Sequence, residues 1–253
     1  VKSHLRRALA RLAELLGATS RDLPWNVAMG GQWLCSSAEQ RCPRIAPRRG
    51  IKVTVVSPSL KKLKALFAQW DKELAKLRSK TREAVEPTRL PRGMPSLEDL
   101  AASKTAIDKA LPNGSSIALL VEYKKKSVLL AADAHPDVLA DEMRALADTR
   151  QLKLPWTVDV FKLPHHSSRA NVTTELLKVV RARHYVVSTN NSQFGHPDAE
   201  ALARVICAGG QPTIWFNYAS RQNLSWNDLA RQAQYGYACR YPSATGGGVR
   251  LDL

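Results

Sequence analysis

Three short polar motifs that follow apolar runs contain the side chains best able to bind a metal ion or move a proton. Asp133 comes directly after SVLLAA, and the pair His165 and His166 follows VDVFKLP. His196 lies in FGHPD, after the run HYVVST and the loop NNSQ. Each alone has a structural explanation, as a helix N-cap, a surface residue or a turn residue. Their recurrence after three apolar runs instead predicts that they share one site.

Metal-assisted hydrolysis is the chemistry that these residue types favour. Mixed carboxylate and imidazole ligands suit zinc, manganese or iron. A bound metal lowers the pKa of water, so that hydroxide forms near neutral pH. The four cysteines are too few for a disulfide scaffold. The spacing in CSSAEQRC fits neither a zinc hairpin nor a redox pair, so we expect plain thiols there.

Alternating strands and helices are predicted to bring the three motifs together. SSIALLVEY and SVLLAAD flank KKK, which predicts an antiparallel hairpin. Downstream, TVDVFKL, HYVVST and PTIWFNY are typical of strands, whereas residues 137–147, TTELLKVVR and DAEALARVICAG are typical of helices. Such alternation predicts an α/β fold, with helices on the faces of a mixed sheet and the reactive residues at strand ends.

The N-terminal part of the chain is predicted to contain a helix, a strand and a basic helix, followed by a linker. We expect a helix over residues 3–16, a strand over residues 51–58 and a basic amphipathic helix after it. Residues 79–111 lose periodicity and contain three prolines, which indicates a mobile loop or linker with at most one short helix. The predicted parts are therefore residues 1–78, the linker 79–112 and a C-terminal αβ half over residues 113–253.

Positive charge is concentrated in one stretch of this chain, whose net charge is +16. Residues 41–80 hold twelve Lys and Arg, opposed only by Asp71 and Glu73. Such a stripe favours binding of a polyanion through counterion release, so nucleic acid is the expected partner. Phosphate contacts are expected from Lys61, Lys62 and Lys64. The alternative is that these lysines only solvate a helix face.

The overall composition fits an ordinary globular protein, with 44% hydrophobic and 24% charged residues. No run of about 18 apolar residues occurs, so no membrane span is predicted. The segment HLRRALARLAELL carries charges inside its apolar stripe and is not a signal peptide. We expect a cytoplasmic protein that can also form homo-oligomers.

Three segments, SSIALLVEYKKKSVLLAADAH, KLPHHSSRAN and FGHPD, together resemble the metallo-β-lactamase fold. Within that fold they are most similar to the hydrolase domain of bacterial DNA-uptake (competence) proteins. That branch has an N-x-x-S strand, a Gly-Asp-Ala turn, PHHGS and GHP. Here Ala132 and Ser167 replace the two glycines, which narrows backbone freedom at both turns. The resemblance covers residues 113–200 well and 51–218 more loosely.

This resemblance implies an αββα sandwich, of which the chain supplies mainly the second half. It implies that Asp133 bridges two divalent ions, zinc or manganese, and that one of His165 and His166 is the last ligand. An Asp where true β-lactamases commonly have Cys indicates phosphodiester or thioester substrates. The residues expected to contact phosphate are Ser168, Arg169, Asn171 and His196.

The first-half ligands of that family come from an H-x-H-x-D-H motif, which this chain lacks. Either the chain is the C-terminal part of a longer or nicked polypeptide whose N-terminal segment supplies these ligands, or it is a relative that has lost its metal. We favour the former, because the second-half residues are intact and the first residue is Val1. The leading prediction is a metal-dependent nuclease or phosphodiesterase in which Asp133 and His196 are catalytic. The alternatives are a non-catalytic nucleic-acid-binding or protein-binding relative, and an ester or thioester hydrolase.

Overall fold

The structure is a computed structural model that describes residues 44–45, 50–70, 72–73, 95–191, 194–243 and 248–253. The chain divides into two compact units. The larger unit comprises Cys35–Ala68 and Ala84–Leu253, and the smaller comprises Val1–Leu34 and Gln69–Glu83. This division differs from the predicted boundaries at residues 78 and 112, and the fold described below is that of the larger unit. The helix predicted over residues 3–16 lies outside the described residues.

Eight strands form one sheet in which neighbours in the chain are neighbours in space. Pairing is antiparallel from the first strand to the fourth and parallel from the fourth to the eighth. The strands are β1 (Arg44–Ile45), β2 (Lys52–Ser57), β3 (Ala118–Tyr123), β4 (Lys126–Leu130), β5 (Trp156–Lys162), β6 (Val180–Val187), β7 (Thr213–Phe216) and β8 (Ala238–Arg240).

The helices of this unit are mostly short connections between strands. They are α1 (Leu60–Ala68), α2 (Leu97–Ala102), α3 (Leu111–Gly114), α4 (Pro136–Thr149), α5 (Thr174–Leu177), α6 (Ala199–Cys207), α7 (Arg221–Leu224) and α8 (Leu229–Tyr235). α4, α5 and α6 join successive parallel strands, and contacts between α4 and α5 and between α5 and α6 place the three helices side by side. This arrangement agrees with the right-handed connections usual between adjacent parallel strands. None of the described helices is long and apolar enough to cross a membrane.

One face of the sheet carries a continuous row of buried side chains, whereas the neighbouring row on the other face is more exposed. A row of register partners on the buried face crosses six strands: Leu120, Leu129, Phe161, Tyr185, Ile214 and Cys239. The first five are 0% exposed. The neighbouring row, Leu119, Leu130, Lys162, Val186, Trp215 and Arg240, keeps partial or full exposure. This alternation gives the sheet its core face, where each large side chain contributes about 1.5–3 kcal/mol.

The parallel strands also determine where the polar motifs lie. Since β4, β5 and β6 are parallel neighbours, their carboxyl ends meet at one edge of the sheet. The segments 131–135 and 163–171 leave the sheet at that edge, and so does the segment that begins at residue 188. The predicted α/β class is therefore confirmed. The residues that the structure describes contain this single sheet, and a second sheet of an αββα sandwich is not among them.

Two predictions about secondary structure need correction. TTELLKVVR was expected to be one helix, but α5 ends at Leu177 and β6 begins at Val180, because the β-branched Val180 packs into the sheet. Residues 95–112, predicted as part of a mobile linker, belong to the larger unit. Within them Leu97 is buried, and α2 contacts α6.

Candidate functional site

The turn after β4 places Asp133 at the edge of the sheet. Ala132 has a φ of 48°, and the turn is closed by a hydrogen bond from Ala134 N to Ala131 O at 3.0 Å. Asp133 is half-buried, and it interacts electrostatically with the ammonium of Lys162 on β5. Burial lowers the pKa of Lys162, and the Asp133 carboxylate opposes that shift. A positive charge thus lies beside the predicted metal-bridging carboxylate.

The turn after β5 has an unusual backbone. His165, His166 and Ser167 have φ values of 44°, 56° and 65°. Left-handed conformations cost L-residues roughly 1–2 kcal/mol each, so they persist only where the surroundings hold them. His165 N donates to Ala132 O at 2.9 Å, which joins this turn to the one after β4. Both positions where the resembled family has glycine, Ala132 and Ser167, therefore have the backbone conformation that glycine favours.

The ring of His165 is fixed by one amide and one carboxylate. Its Nδ1 lies 3.1 Å from Asn171 Oδ1 and 3.3 Å from Asp108 Oδ2. Asn171 Nδ2 donates to Asp108 and to Ala134 O, which turns the Asn171 oxygen towards the imidazole. The donor Asn113 Nδ2 is farther from Nδ1, at 3.4 Å. Two closer acceptors put the proton on Nδ1 and the lone pair on Nε2.

Asp108 is the central carboxylate of this cluster. It accepts hydrogen bonds from Ala110 N at 2.9 Å and from Asn113 Nδ2 at 2.7 Å, besides those from Asn171 and His165. Burial alone raises the pKa of Asp108, but the bonds from His165 and the other donors hold it well below its usual range. Asp108 is therefore ionised at neutral pH and acts only as an acceptor.

Sequence reasoning missed Asp108, because it lies in the segment predicted to be a linker. No periodic pattern marks KTAIDKAL. The one available signal is that Asp108 is the only acidic residue between Asp99 and Glu122.

His135 is buried against the segment that contains Asp108 and Ala110. Its side chain is 2% exposed, its Nε2 donates to Ala110 O at 3.0 Å, and its Nδ1 accepts from Lys62 Nζ at 3.0 Å. Burial lowers the pKa of His135, and the Lys62 ammonium lowers it further, so the ring is neutral. The ring packs against Gly114, where a Cβ would lie 2.7 Å from His135 Cε1. His135 precedes α4 without capping it through its side chain.

His166 and His196 complete a group of three imidazoles. His166 Nδ1 donates to Ser188 O at 2.6 Å, which again leaves the lone pair on Nε2. His196 Nδ1 lies 3.1 Å from Asp198 Oδ1. The ring centroid of His165 is 6.1 Å from that of His166 and 5.7 Å from that of His196. The structure thus brings the three predicted histidines together.

The predicted phosphate-binding residues of the HHSSRAN segment have different surroundings. Asn171 is 0% exposed and both ends of its amide are used, so it positions His165 and does not face a substrate. This corrects its predicted role. Ser168 is also buried, and its hydroxyl accepts from Ala170 N. The Arg169 guanidinium is more than half exposed and pairs with Glu200 at 2.7 Å.

The three lysines of the basic stripe also differ from one another. Lys61 and Lys64 are exposed on α1. Lys62 instead donates to His135 and lies 3.6 Å from Asp137. Lys62 therefore belongs to the support of the cluster, whereas Lys61 and Lys64 face solvent and stay candidates for phosphate contact.

Arg204 on α6 is a further residue that the sequence did not single out. Its guanidinium is buried and joins the segment that precedes Asp108 to the loop that contains His165. The groups that accept its hydrogen bonds are Ala101 O, Ser103 O, Ser103 Oγ, Thr105 Oγ1, Arg169 O and Val172 O. A planar guanidinium with five N–H donors suits such a set of acceptors.

The side chains at this edge of the sheet are of the types that bind a metal ion, but too few of them are placed to hold one. The imidazoles of His165 and His166 donate through Nδ1 to oxygen, as metal-binding histidines commonly do. Among the described residues, however, no group of three or more His, Cys, Asp or Glu side chains is placed to hold a metal ion. The arrangement is therefore part of a ligand set at most.

Comparison with protein-family models, with curated proteins and with solved structures finds no match to this chain. The fold class and the geometry of the site must therefore support any function that is proposed.

Proposed function

We propose that this chain carries part of the active site of a metal-dependent phosphodiester hydrolase. One observation supports this most strongly. His165 and His196, each held at Nδ1 by a carboxylate, lie 5.7 Å apart at the sheet edge that also carries Asp133. Imidazoles fixed in this way are suited to bind a metal or to transfer a proton.

In this proposal Asp133 and the His165–His166 pair are ligands. Asp108 and Asn171 keep the lone pair of His165 on Nε2, which is the form that a ligand needs. A divalent ion, zinc or manganese, would supply a Lewis acid and lower the pKa of bound water. The remaining ligands come from outside the described residues, and we assign them to an N-terminal segment of the same fold. The Lys162 ammonium offsets part of the negative charge at Asp133.

His196 has the separate role of contacting the phosphate or the departing oxygen. Its Nε2 can accept a proton, because Nδ1–H is engaged with Asp198. A positioned imidazole of this kind contributes typically about 100 to 10,000-fold to rate. Nucleic acid is the proposed substrate, because the chain has a net charge of +16 and Lys61 and Lys64 face solvent.

A second candidate is a relative that binds nucleic acid without catalysis. The observation that favours it is the lack of a three-ligand group among the described residues, together with the positive charge of Lys162 beside Asp133. Metal binding separates the two candidates.

Metal binding and hydrolysis should be measured on the same set of variants, each assayed together with the N-terminal segment to which the remaining ligands are assigned. Mn²⁺ titration followed by paramagnetic broadening of imidazole resonances detects even weak binding, and Zn²⁺ content follows from equilibrium dialysis with elemental analysis. We expect Asp133→Ala and His165→Ala to lose metal, and Asp133→Ala to hydrolyse a fluorescent single-stranded DNA at least ~100-fold more slowly, beyond the roughly 10 to 100-fold effects of outer-shell changes. His196→Ala should keep its metal and turn over slowly.

The matched control is Asp141→Ala, which removes an exposed carboxylate on α4 that pairs with Arg144. It should bind metal and hydrolyse DNA as the wild type does. If the wild-type protein binds DNA but Mn²⁺ broadens none of its imidazole resonances, the non-catalytic candidate is supported. Loss of metal by His196→Ala would mean that His196 is a metal ligand and that the His165–His166 pair has the role proposed for His196.

A further inference from the structure

We propose that Asp198 is a positioning residue that fixes His196 in the tautomer with the proton on Nδ1. What His196 then does to a substrate rests on the proposed function, but the tautomer itself does not. The inference starts from the position of Asp198 at the start of α6.

Asp198 occupies the N-cap position of α6 without capping it. An Asp at this position ordinarily accepts a hydrogen bond from a backbone N–H of its own first turn. The Asp198 side chain makes no such bond. Its Oδ1 lies 3.1 Å from His196 Nδ1, and its Oδ2 accepts from Arg169 N at 2.7 Å. A side chain that does not cap its own helix and instead bonds to residues of the site indicates a functional constraint.

The charge of Asp198 decides the tautomer of His196. Burial raises the pKa of Asp198, but the hydrogen bonds from His196 and from Arg169 N hold it below its usual range. An ionised carboxylate can only accept hydrogen bonds, so His196 must donate from Nδ1. The lone pair then lies on Nε2, as it does in His165, whose Nδ1 faces Asp108.

Asp198 also holds the loop that contains the histidine pair. Its backbone N donates to Ser167 O at 3.1 Å, while its Oδ2 binds Arg169 N. One residue therefore positions the His196 turn relative to the loop after β5. A variant that tests the tautomer must keep these loop contacts.

Asp198→Asn meets this requirement, because it keeps the shape of the side chain. Arg169 N–H is a fixed donor, so it takes the amide oxygen of the new side chain. The amide NH₂ then faces His196 Nδ1, which must accept and lose its proton. We expect the tautomer of His196 to invert from Nδ1–H to Nε2–H.

The experiment is a long-range ¹H–¹⁵N correlation spectrum of the full chain labelled with ¹⁵N-histidine, which distinguishes protonated from unprotonated ring nitrogens. The wild type should show His196 protonated at Nδ1, and Asp198→Asn should show it protonated at Nε2. The control is Glu200→Gln on the same helix, which removes the partner of the Arg169 guanidinium without touching His196. It should keep the wild-type tautomer.

A wild-type His196 protonated at Nε2 would overturn the inference without any variant. So would an Asp198→Asn protein that keeps Nδ1–H, or a Glu200→Gln protein that loses it. If the wild type hydrolyses phosphodiesters, Asp198→Asn should lower kcat at least ~10-fold with little change in KM, up to the roughly 100 to 10,000-fold that a general acid or base contributes. A wild type without hydrolysis refutes the proposed function, while the spectra still decide the role of Asp198.

Discussion

Replacing Gly114 with alanine is expected to destabilise the larger unit, because the new methyl group meets the ring of His135. The added Cβ would lie 2.7 Å from Cε1 and 2.9 Å from Nδ1 of that ring. The ring has little freedom to move, since its two nitrogens are bonded to Ala110 O and to Lys62 Nζ. The clash must therefore displace His135, the Ala110 segment, or both.

The size of the effect follows from three opposing contributions. Overpacking a buried site costs typically 1–3 kcal/mol. Loss of a hydrogen bond of His135 adds roughly 0.5–1.5 kcal/mol. Against these, alanine for glycine at a position without positive φ stabilises by about 0.4–1 kcal/mol through the unfolded chain. We expect a net loss of about 1–3 kcal/mol in the free energy of unfolding, which corresponds to a fall of roughly 2–12 °C in Tm.

A double-mutant cycle tests the reasoning. Urea denaturation should be measured for wild type, Gly114→Ala, His135→Ala and the double variant. Without the imidazole the methyl group has space, so Gly114→Ala should become neutral or stabilising by about 0.4–1 kcal/mol in the His135→Ala background. An equal loss in both backgrounds, or a Gly114→Ala protein as stable as wild type, would refute the assigned contact.

Two further predictions concern charges. The pKa of Asp108 is lower in the folded chain than in the unfolded chain, so its charge stabilises the fold above the ordinary carboxyl pKa near 4, and this contribution disappears as the pH falls towards the folded pKa. Asp108→Asn should therefore lower the free energy of unfolding by roughly 1–3 kcal/mol at pH 7. Urea denaturation should show that the difference in stability between wild type and variant shrinks from pH 5 to pH 2, and a constant difference would contradict the prediction. Replacing Lys61 and Lys64 with Gln should reduce the slope of log nucleic-acid affinity against log salt concentration by roughly 0.7–0.9 for each phosphate that the lysines no longer neutralise. An unaltered slope would show that these lysines only solvate α1.

The sheet was largely predictable because its strands are short apolar runs bounded by turns. β2, β3, β4 and β5 were predicted close to their observed positions, since each is a short run rich in apolar residues that ends at a turn or a proline. The start of β6 was missed, because Leu176, Leu177 and Val180 also match a helical spacing. The three residues of β8 are too few to leave a pattern.

The site was predictable only where topology places residues at strand ends. Asp133, His165 and His196 follow strands, so their proximity follows from parallel pairing. The residues that hold them were not predictable. Asp108 reaches His165 across 57 residues, and no local pattern records a contact of that range. The same is true of Arg204, which looks in sequence like one more charged position on α6.

The buried guanidinium of Arg204 has a consequence for the order in which this unit assembles. Its bonds to Arg169 O and Val172 O close loops of 35 and 32 residues, whereas its bond to Ser103 O closes a loop of 101 residues. Closing the longer loop costs about 1 kcal/mol more chain entropy. The histidine loop is therefore expected to dock on α6 before the segment that leads to Asp108. Until that segment docks, the Arg204 guanidinium lacks four of its six acceptors, so partly assembled forms carry the cost of a buried charge with unsatisfied donors. In this order His165 is expected to receive the Asp108 carboxylate only after the histidine loop has docked on α6, and a chain trapped before that step would contain the histidines without the contact that fixes the His165 proton.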